Sequence, residues 1–68
     1  MINDEYVSGK IRELREAQGV SEMDMTQKMG MPLTLYRVFE VSPSKFPANI
    51  DKAAAVLGCT AADLTGEA

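Results

Sequence analysis

Hydrophobic residues recur at helical spacing over most of the chain. Near its start, Val7, Ile11 and Leu14 stand at i, i+4 and i+7, which places them on one face of a helix. Gly19 follows this stripe as a left-handed stop. The spacing therefore predicts a first helix over about residues 4–18.

Two short helices are predicted next, on either side of Gly30. Ser21 and Asp24 have the spacing of a capping box, so we expect the second helix to begin there and to end at Gly30 after about two turns. The fixed φ of Pro32 suits the first turn of a helix, and a third helix is predicted over about residues 32–40.

The segment 41–47 contains two prolines, two serines and no sustained period, and is predicted to be a loop. The alanine-rich segment 48–57 follows with apolar residues at helical spacing, and Gly58 ends it. A fourth helix is therefore expected before Gly58.

Thr60 and Asp63 repeat the capping-box spacing and predict a brief fifth helix, followed by a frayed tail over residues 65–68. Five helical segments and no strand pattern predict a compact all-α fold. With only 68 residues, the chain is expected to form a single domain over residues 1–68.

The composition removes several classes of function. The chain has one cysteine, Cys59, and no histidine, which excludes an internal disulfide, a Cys/His zinc site and a Ser-His-Asp triad. No glycine-rich phosphate loop or paired carboxylates indicate catalysis, so we expect a protein that is not an enzyme and uses no metal or cofactor.

Seven basic residues against ten acidic residues give a net charge of −3, whereas a nucleic-acid binder is expected to be basic. The longest apolar stretch is too short to span a bilayer. The first residues contain no basic region ahead of an apolar run, so we expect a cytoplasmic protein without a membrane partner.

Three further features carry a family resemblance. A motif of the form LR-x-x-x-G-V-S spans residues 14–21. Gly30 separates the two predicted short helices, and Glu40 ends the second of them. A later apolar pattern consists of Ile50, Ala53, Ala54, Leu57, Gly58, Cys59 and Thr60. These three features follow each other over about residues 9–65. Their order resembles the lambda-repressor-like helix-turn-helix family, the phage Cro and repressor type also called XRE.

The resemblance implies a helix-turn-helix motif over about residues 21–40, with the helix 32–40 in the major groove of a DNA operator. The positions that it implies to face bases are Pro32, Leu33, Thr34 and Arg37. Those that it implies to face phosphates are Ser21, Glu22, Lys28 and Lys45. It further implies a small transcriptional regulator of phage or prokaryotic type that acts as a homodimer.

Two departures from the family pattern keep a second hypothesis open. Glu22 stands where a neutral side chain touches a phosphate, and residues 19–47 carry three cations and three carboxylates. Six cations in a dimer correspond to a salt slope of about −5, enough for modest DNA binding. The alternative is a protein of this fold that binds a protein partner, such as a repressor, through Leu33, Leu35 and acidic flanks.

Four methionines lie close together at residues 23–31 and invite a copper(I) site, but Met25 and Met29 share one face, which predicts core packing. Cys59 is expected to fill a small core position.

Arg37 has two candidate roles, as a guanine reader or as the i+3 partner of Glu40. The basic residues of the first helix, interleaved with glutamates, predict a solvated face; they are Lys10, Arg12 and Arg15.

Overall fold

The structure is a computed structural model, and it describes residues 2–66. Within that range it is all-helical and contains no strand. Five α-helices and one short 3-10 helix follow each other along the chain: α1 Asp4–Ala17, α2 Glu22–Met29, α3 Leu33–Val41, the 3-10 helix Pro43–Lys45, α4 Pro47–Leu57 and α5 Ala61–Thr65. The predicted all-α architecture is thus confirmed.

Side chains cap the helices where the sequence predicted them. The Ser21 hydroxyl accepts from the Asp24 amide at 3.0 Å, and the Asp24 carboxylate accepts from the Ser21 amide at 3.3 Å. Thr60 and Asp63 form the same reciprocal pair at the start of α5. Both capping boxes satisfy backbone donors that a helix N-terminus otherwise leaves unpaired.

One hydrophobic core joins the five α-helices. α1 packs on α3, α4 and α5, while α2 packs on α3 and α4. Met25 and Met29 belong to this core, as predicted, whereas Met23 is exposed. The buried apolar side chains are Val7, Ile11, Met25, Met29, Tyr36, Phe39, Ile50, Ala53, Ala54, Leu57 and Leu64.

The third helix is shifted by one residue from its predicted range. Pro32 is the N-cap, with φ −69° and an extended ψ of 152°, so it stands before the helix and not in its first turn. Its carbonyl accepts the Tyr36 amide at 3.0 Å, which starts the helix. At the other end Val41 belongs to α3, because the Ser42 amide still bonds the Val38 carbonyl at 2.9 Å.

The predicted loop 41–47 is mostly helical, which corrects the sequence interpretation. Its prolines begin helices, since Pro43 opens the 3-10 helix and Pro47 opens α4. Asp4 fixes this segment to α1: one carboxylate oxygen accepts the Ser44 amide at 2.9 Å and the other accepts the Ser44 hydroxyl at 3.1 Å.

The predicted fraying of residues 65–68 does not extend to its first two residues. Thr65 ends α5, and Gly66 follows as a left-handed cap with φ 74°. The remaining two residues of that prediction, 67 and 68, lie outside the described residues. Within the described part of the chain, no helix is both long and apolar enough to cross a membrane.

Gly30 makes the short connection between α2 and α3. It has φ 69° and ψ 37°, and its amide bonds the Thr26 carbonyl. The Met31 amide bonds the same carbonyl at 3.0 Å, which closes the helix end. A side chain at residue 30 would meet no atom within 4 Å, so the backbone conformation alone favours glycine.

Replacing Gly30 with alanine is expected to lower the free energy of unfolding by about 1 kcal/mol, because alanine is strained at positive φ. Gly9 provides the matched control: it is exposed within α1 and also has open space around its Cβ position. Gly9→Ala is expected to raise stability by about 0.5–1 kcal/mol. Urea unfolding measures both, and equal effects of the two substitutions would contradict the assigned role of Gly30.

Candidate nucleic-acid interface

The outer side of α3 carries most of the residues predicted to face DNA bases. Thr34 and Arg37 are exposed on the helix, and Pro32 is exposed just before it. Leu33 is half-buried, which limits what it can contact outside the fold. Three of the four predicted base-facing residues are therefore exposed.

The inner side of α3 is held by a buried carboxylate. Glu40 accepts hydrogen bonds from Arg12 Nε on one oxygen, at 3.1 Å, and from the Tyr36 hydroxyl on the other. Arg15 Nε lies 3.7 Å from that second oxygen. This cluster of four residues attaches α3 to α1.

Arg12 and Arg15 therefore do not belong to a purely solvated helix face, which corrects the sequence prediction. The side chains of Arg15 and Glu40 are 12% and 9% exposed, so both charges are largely removed from water. Arg15 Nη1 also donates to the Val20 carbonyl at 3.2 Å. Lys10 pairs within α1, with its Nζ 4.0 Å from Glu13 Oε1.

Burial and the neighbouring Glu40 carboxylate raise the pKa of Tyr36 well above its usual range. Desolvation is the larger cause, because an ionised phenolate in the core would lose its hydration. The hydrogen bond to Glu40 adds to it, since the phenol must keep its proton in order to donate. Tyr36 thus remains a neutral donor.

Arg37 pairs with Glu22 and not with Glu40. Arg37 Nε donates to Glu22 Oε2 at 3.1 Å, across the gap between α2 and α3. The side chains are 64% and 39% exposed, so the pair is open to solvent. Glu40 is turned inward and occupied by α1, which explains why the i+3 pairing does not form.

The residues predicted to face phosphates lie at separate points around α2 and the 3-10 helix. Lys28 is exposed in the last turn of α2, and Lys45 is exposed at the end of the 3-10 helix. Ser21 is the exposed N-cap of α2, and its oxygen is already an acceptor for Asp24. Its hydroxyl proton is the part left to donate outward.

An apolar edge on α3 is formed by Leu35, which the sequence predicted as a protein-binding residue, and by Val38 and Val41, which sequence reasoning missed. These side chains are 38%, 51% and 66% exposed. Val38 and Val41 extend the stripe beyond Leu35 at i+3 and i+6. For Val41 the missing signal was the true end of the helix, because a residue assigned to a loop has no helical face.

Charge is unevenly distributed over the fold. We define the α2–α3 side as α2, α3, the 3-10 helix and the charged residues of α1 that contact them, which are Arg12, Arg15 and Asp4. Five cations and four carboxylates belong to it: Arg12, Arg15, Lys28, Arg37 and Lys45, against Asp4, Glu22, Asp24 and Glu40. The rest of the sequence has two cations and six carboxylates. The negative net charge therefore comes from outside the α2–α3 side.

Away from the α2–α3 side, a groove of about 460 Å³ lies between α1 and α5. Tyr6 and Lys10 line one wall, while Cys59 and Asp63 line the other. Burial raises the pKa of the half-buried Cys59 thiol, which disfavours the reactive thiolate. Hydrogen bonds from Thr60 lower the pKa of Asp63, which serves as a helix cap there. The polar contacts in this groove are therefore those that cap the start of α5.

No protein-family model, no curated protein and no solved structure matches this chain. The α2–α3 side combines three features of its own. They are an exposed helix, one exposed arginine held by a glutamate, and a local excess of positive charge.

The raised pKa of Tyr36 predicts a loss of stability at alkaline pH. Above about pH 10 the unfolded chain releases the phenol proton while the folded chain retains it, so unfolding becomes more favourable. Tyr36→Phe removes this contribution but also a buried hydrogen bond worth roughly 1–2 kcal/mol. The stability difference between the wild type and Tyr36→Phe should therefore shrink by about 1.4 kcal/mol between about pH 9 and 11.

Urea unfolding at a series of pH values measures this difference. Tyr6→Phe is the matched control, because Tyr6 is exposed and lies outside the Glu40 cluster. Parallel stability curves for the wild type and Tyr36→Phe across this pH range would contradict the prediction.

Proposed function

We propose that this chain is a small DNA-binding regulator of the lambda-repressor-like helix-turn-helix type, which inserts α3 into the major groove as a homodimer. The observation that carries the proposal is the charge distribution. The α2–α3 side has an excess of one cation in a chain whose net charge is −3. The exposed cations of α2, α3 and the 3-10 helix are Lys28, Arg37 and Lys45, and Thr34 is exposed on α3.

The dimensions and chemistry of α3 support this role. The major groove is about 12 Å wide and admits one α-helix with its side chains. Arg37 can donate to O6 and N7 of a guanine, and the Thr34 hydroxyl can bond a base edge. Leu35 and Val38, exposed on the same helix, suit the methyl group of thymine.

The buried Glu40 cluster supports it as well. Base recognition needs a helix whose side chains keep a fixed direction, and a carboxylate paired with α1 limits rotation of α3. Because Arg12 and Arg15 neutralise Glu40 inside the fold, its carboxylate repels DNA phosphates less than the net charge of the sequence indicates. Lys28 and Lys45 remain exposed for phosphate contacts.

A homodimer follows from the small size of the recognition surface. One α3 of nine residues contacts few base pairs, and single modules bind weakly. Two copies on half-sites about 34 Å apart would multiply the contacts and read a two-fold operator.

A second candidate function is favoured by the apolar edge of α3. Leu35, Val38 and Val41 are exposed along α3, and Arg37 is already paired with Glu22. In this alternative the same face binds a protein, for example a repressor, through apolar contacts, with acidic residues at its margin.

The DNA function predicts that Arg37→Ala weakens binding to an operator selected from random duplex DNA. The expected loss is about 1–3 kcal/mol, concentrated at one guanine position, since Arg37 is the one arginine exposed on α3. Lys52→Ala is the charge-matched control, because Lys52 is exposed on α4 outside the α2–α3 side. Fluorescence anisotropy at fixed salt measures both variants, and equal losses would contradict base reading by Arg37.

The protein-binding alternative makes the opposite prediction. Val38→Ser/Val41→Ser should weaken capture of a partner protein from the native host at least roughly tenfold, because two apolar side chains lose their burial. Arg37→Ala should leave that complex intact. Retention of the partner by the double valine variant would contradict the alternative, and enrichment of a DNA sequence without any captured protein would favour the regulator.

A further inference from the structure

Glu22 and Arg37 form a contact between the first residue of α2 and the second turn of α3. Nε of Arg37 donates to Oε2 of Glu22 at 3.1 Å. Among residues 2–66 this is the one side-chain hydrogen bond that joins these two helices. It involves the exposed arginine of the candidate DNA-binding face.

The geometry leaves the useful end of the arginine free. A guanidinium presents five N–H donors in a planar fork, and one of them, on Nε, points to Glu22. Recognition of guanine requires two parallel donors, which the terminal Nη1 and Nη2 atoms can supply. A carboxylate that holds Nε therefore directs the terminal nitrogens and lowers the side-chain entropy lost on binding.

The charge of Glu22 has a second effect. A carboxylate at the start of α2, close to where the DNA backbone would pass, repels phosphates whatever the base sequence. This repulsion weakens specific and non-specific binding together. Orientation of Arg37 strengthens only the complex that offers a guanine in the right place.

We propose that Glu22 is a positioning residue for Arg37, which raises the ratio of specific to non-specific DNA binding at the expense of total affinity. This inference rests on the proposed function. It assigns to the carboxylate a defined task in selecting guanine, in addition to its repulsion of phosphates.

Two substitutions at residue 22 separate position from charge. Glu22→Gln and Glu22→Ala remove the same negative charge, but glutamine retains a carbonyl oxygen that can accept from Arg37 Nε. Both should raise affinity for a scrambled duplex by a similar factor. Glu22→Ala should lower the specific to non-specific ratio roughly fivefold or more, whereas Glu22→Gln should stay within about twofold of the wild type.

The controls use the same duplexes, measured by fluorescence anisotropy at one salt concentration. Glu16→Gln removes an exposed carboxylate from α1, outside the α2–α3 side, and should leave the ratio unchanged. In an Arg37→Ala background, Glu22→Gln and Glu22→Ala should become indistinguishable, because the group that they position is absent. Circular dichroism verifies that each variant is folded.

Each result has a defined meaning. Equal ratios for Glu22→Gln and Glu22→Ala would overturn the positioning role and leave DNA binding intact, since charge alone would explain both. A difference between them that persists without Arg37 would overturn it as well. If the wild type enriches no sequence from random duplex DNA, the proposed function and this inference both fail.

Discussion

The carboxylate of Glu40 enters the protein interior, and the orientation of α3 depends on the partners that it finds there. Burial of a charge costs several kcal/mol unless hydrogen bonds and opposite charge compensate it. Glu40 has Arg12, Arg15 and the hydroxyl of Tyr36 around it, from two different helices. Because these partners have fixed directions, the cluster holds α3 in one rotation about its axis. This rotation of α3 sets the direction in which its exposed side chains point.

The helices themselves follow from local signals, and the sequence predicts them well. A capping box spans four residues, and a hydrophobic stripe repeats within two turns, so each is visible without knowledge of the fold. The start of α2 at Ser21 and its end at Gly30 agree with the structure for this reason. The predicted bounds of α3 are wrong by one residue at each end. A helix that includes or excludes Pro32 or Val41 fits the same local pattern.

Contacts between distant segments are what local patterns cannot supply. Arg12 and Glu40 are 28 residues apart, and Asp4 and Ser44 are 40 apart. Interleaved charges on α1 have the composition of a solvated face, and only the packing of α3 shows which of them turn inward. The same holds for Arg37: spacing offers Glu40 as its partner, but Glu40 is already occupied, and the start of α2 supplies Glu22.

The outer side of α3 thus combines two kinds of surface. Arg37 and Thr34 are polar groups suited to base edges, while Leu35 and Val38 are apolar groups that suit either thymine methyl groups or a protein. The proposed DNA-binding function uses both kinds, whereas a protein partner would depend mainly on the apolar edge. The effect of Glu22 on DNA binding is twofold. Its carboxylate repels phosphates in general, but it can also orient Arg37 beside it.

The uneven charge of the fold has a consequence for the way in which this molecule approaches other molecules. The α2–α3 side has a small excess of positive charge while the rest of the sequence has a surplus of carboxylates, and this difference gives the protein an electric dipole moment. In the field of a polyanion, such a molecule rotates during diffusion until its basic end leads, and this steering weakens as salt screens the field. The acidic remainder then discourages adhesion in any other pose, so that encounters from the wrong side dissociate quickly.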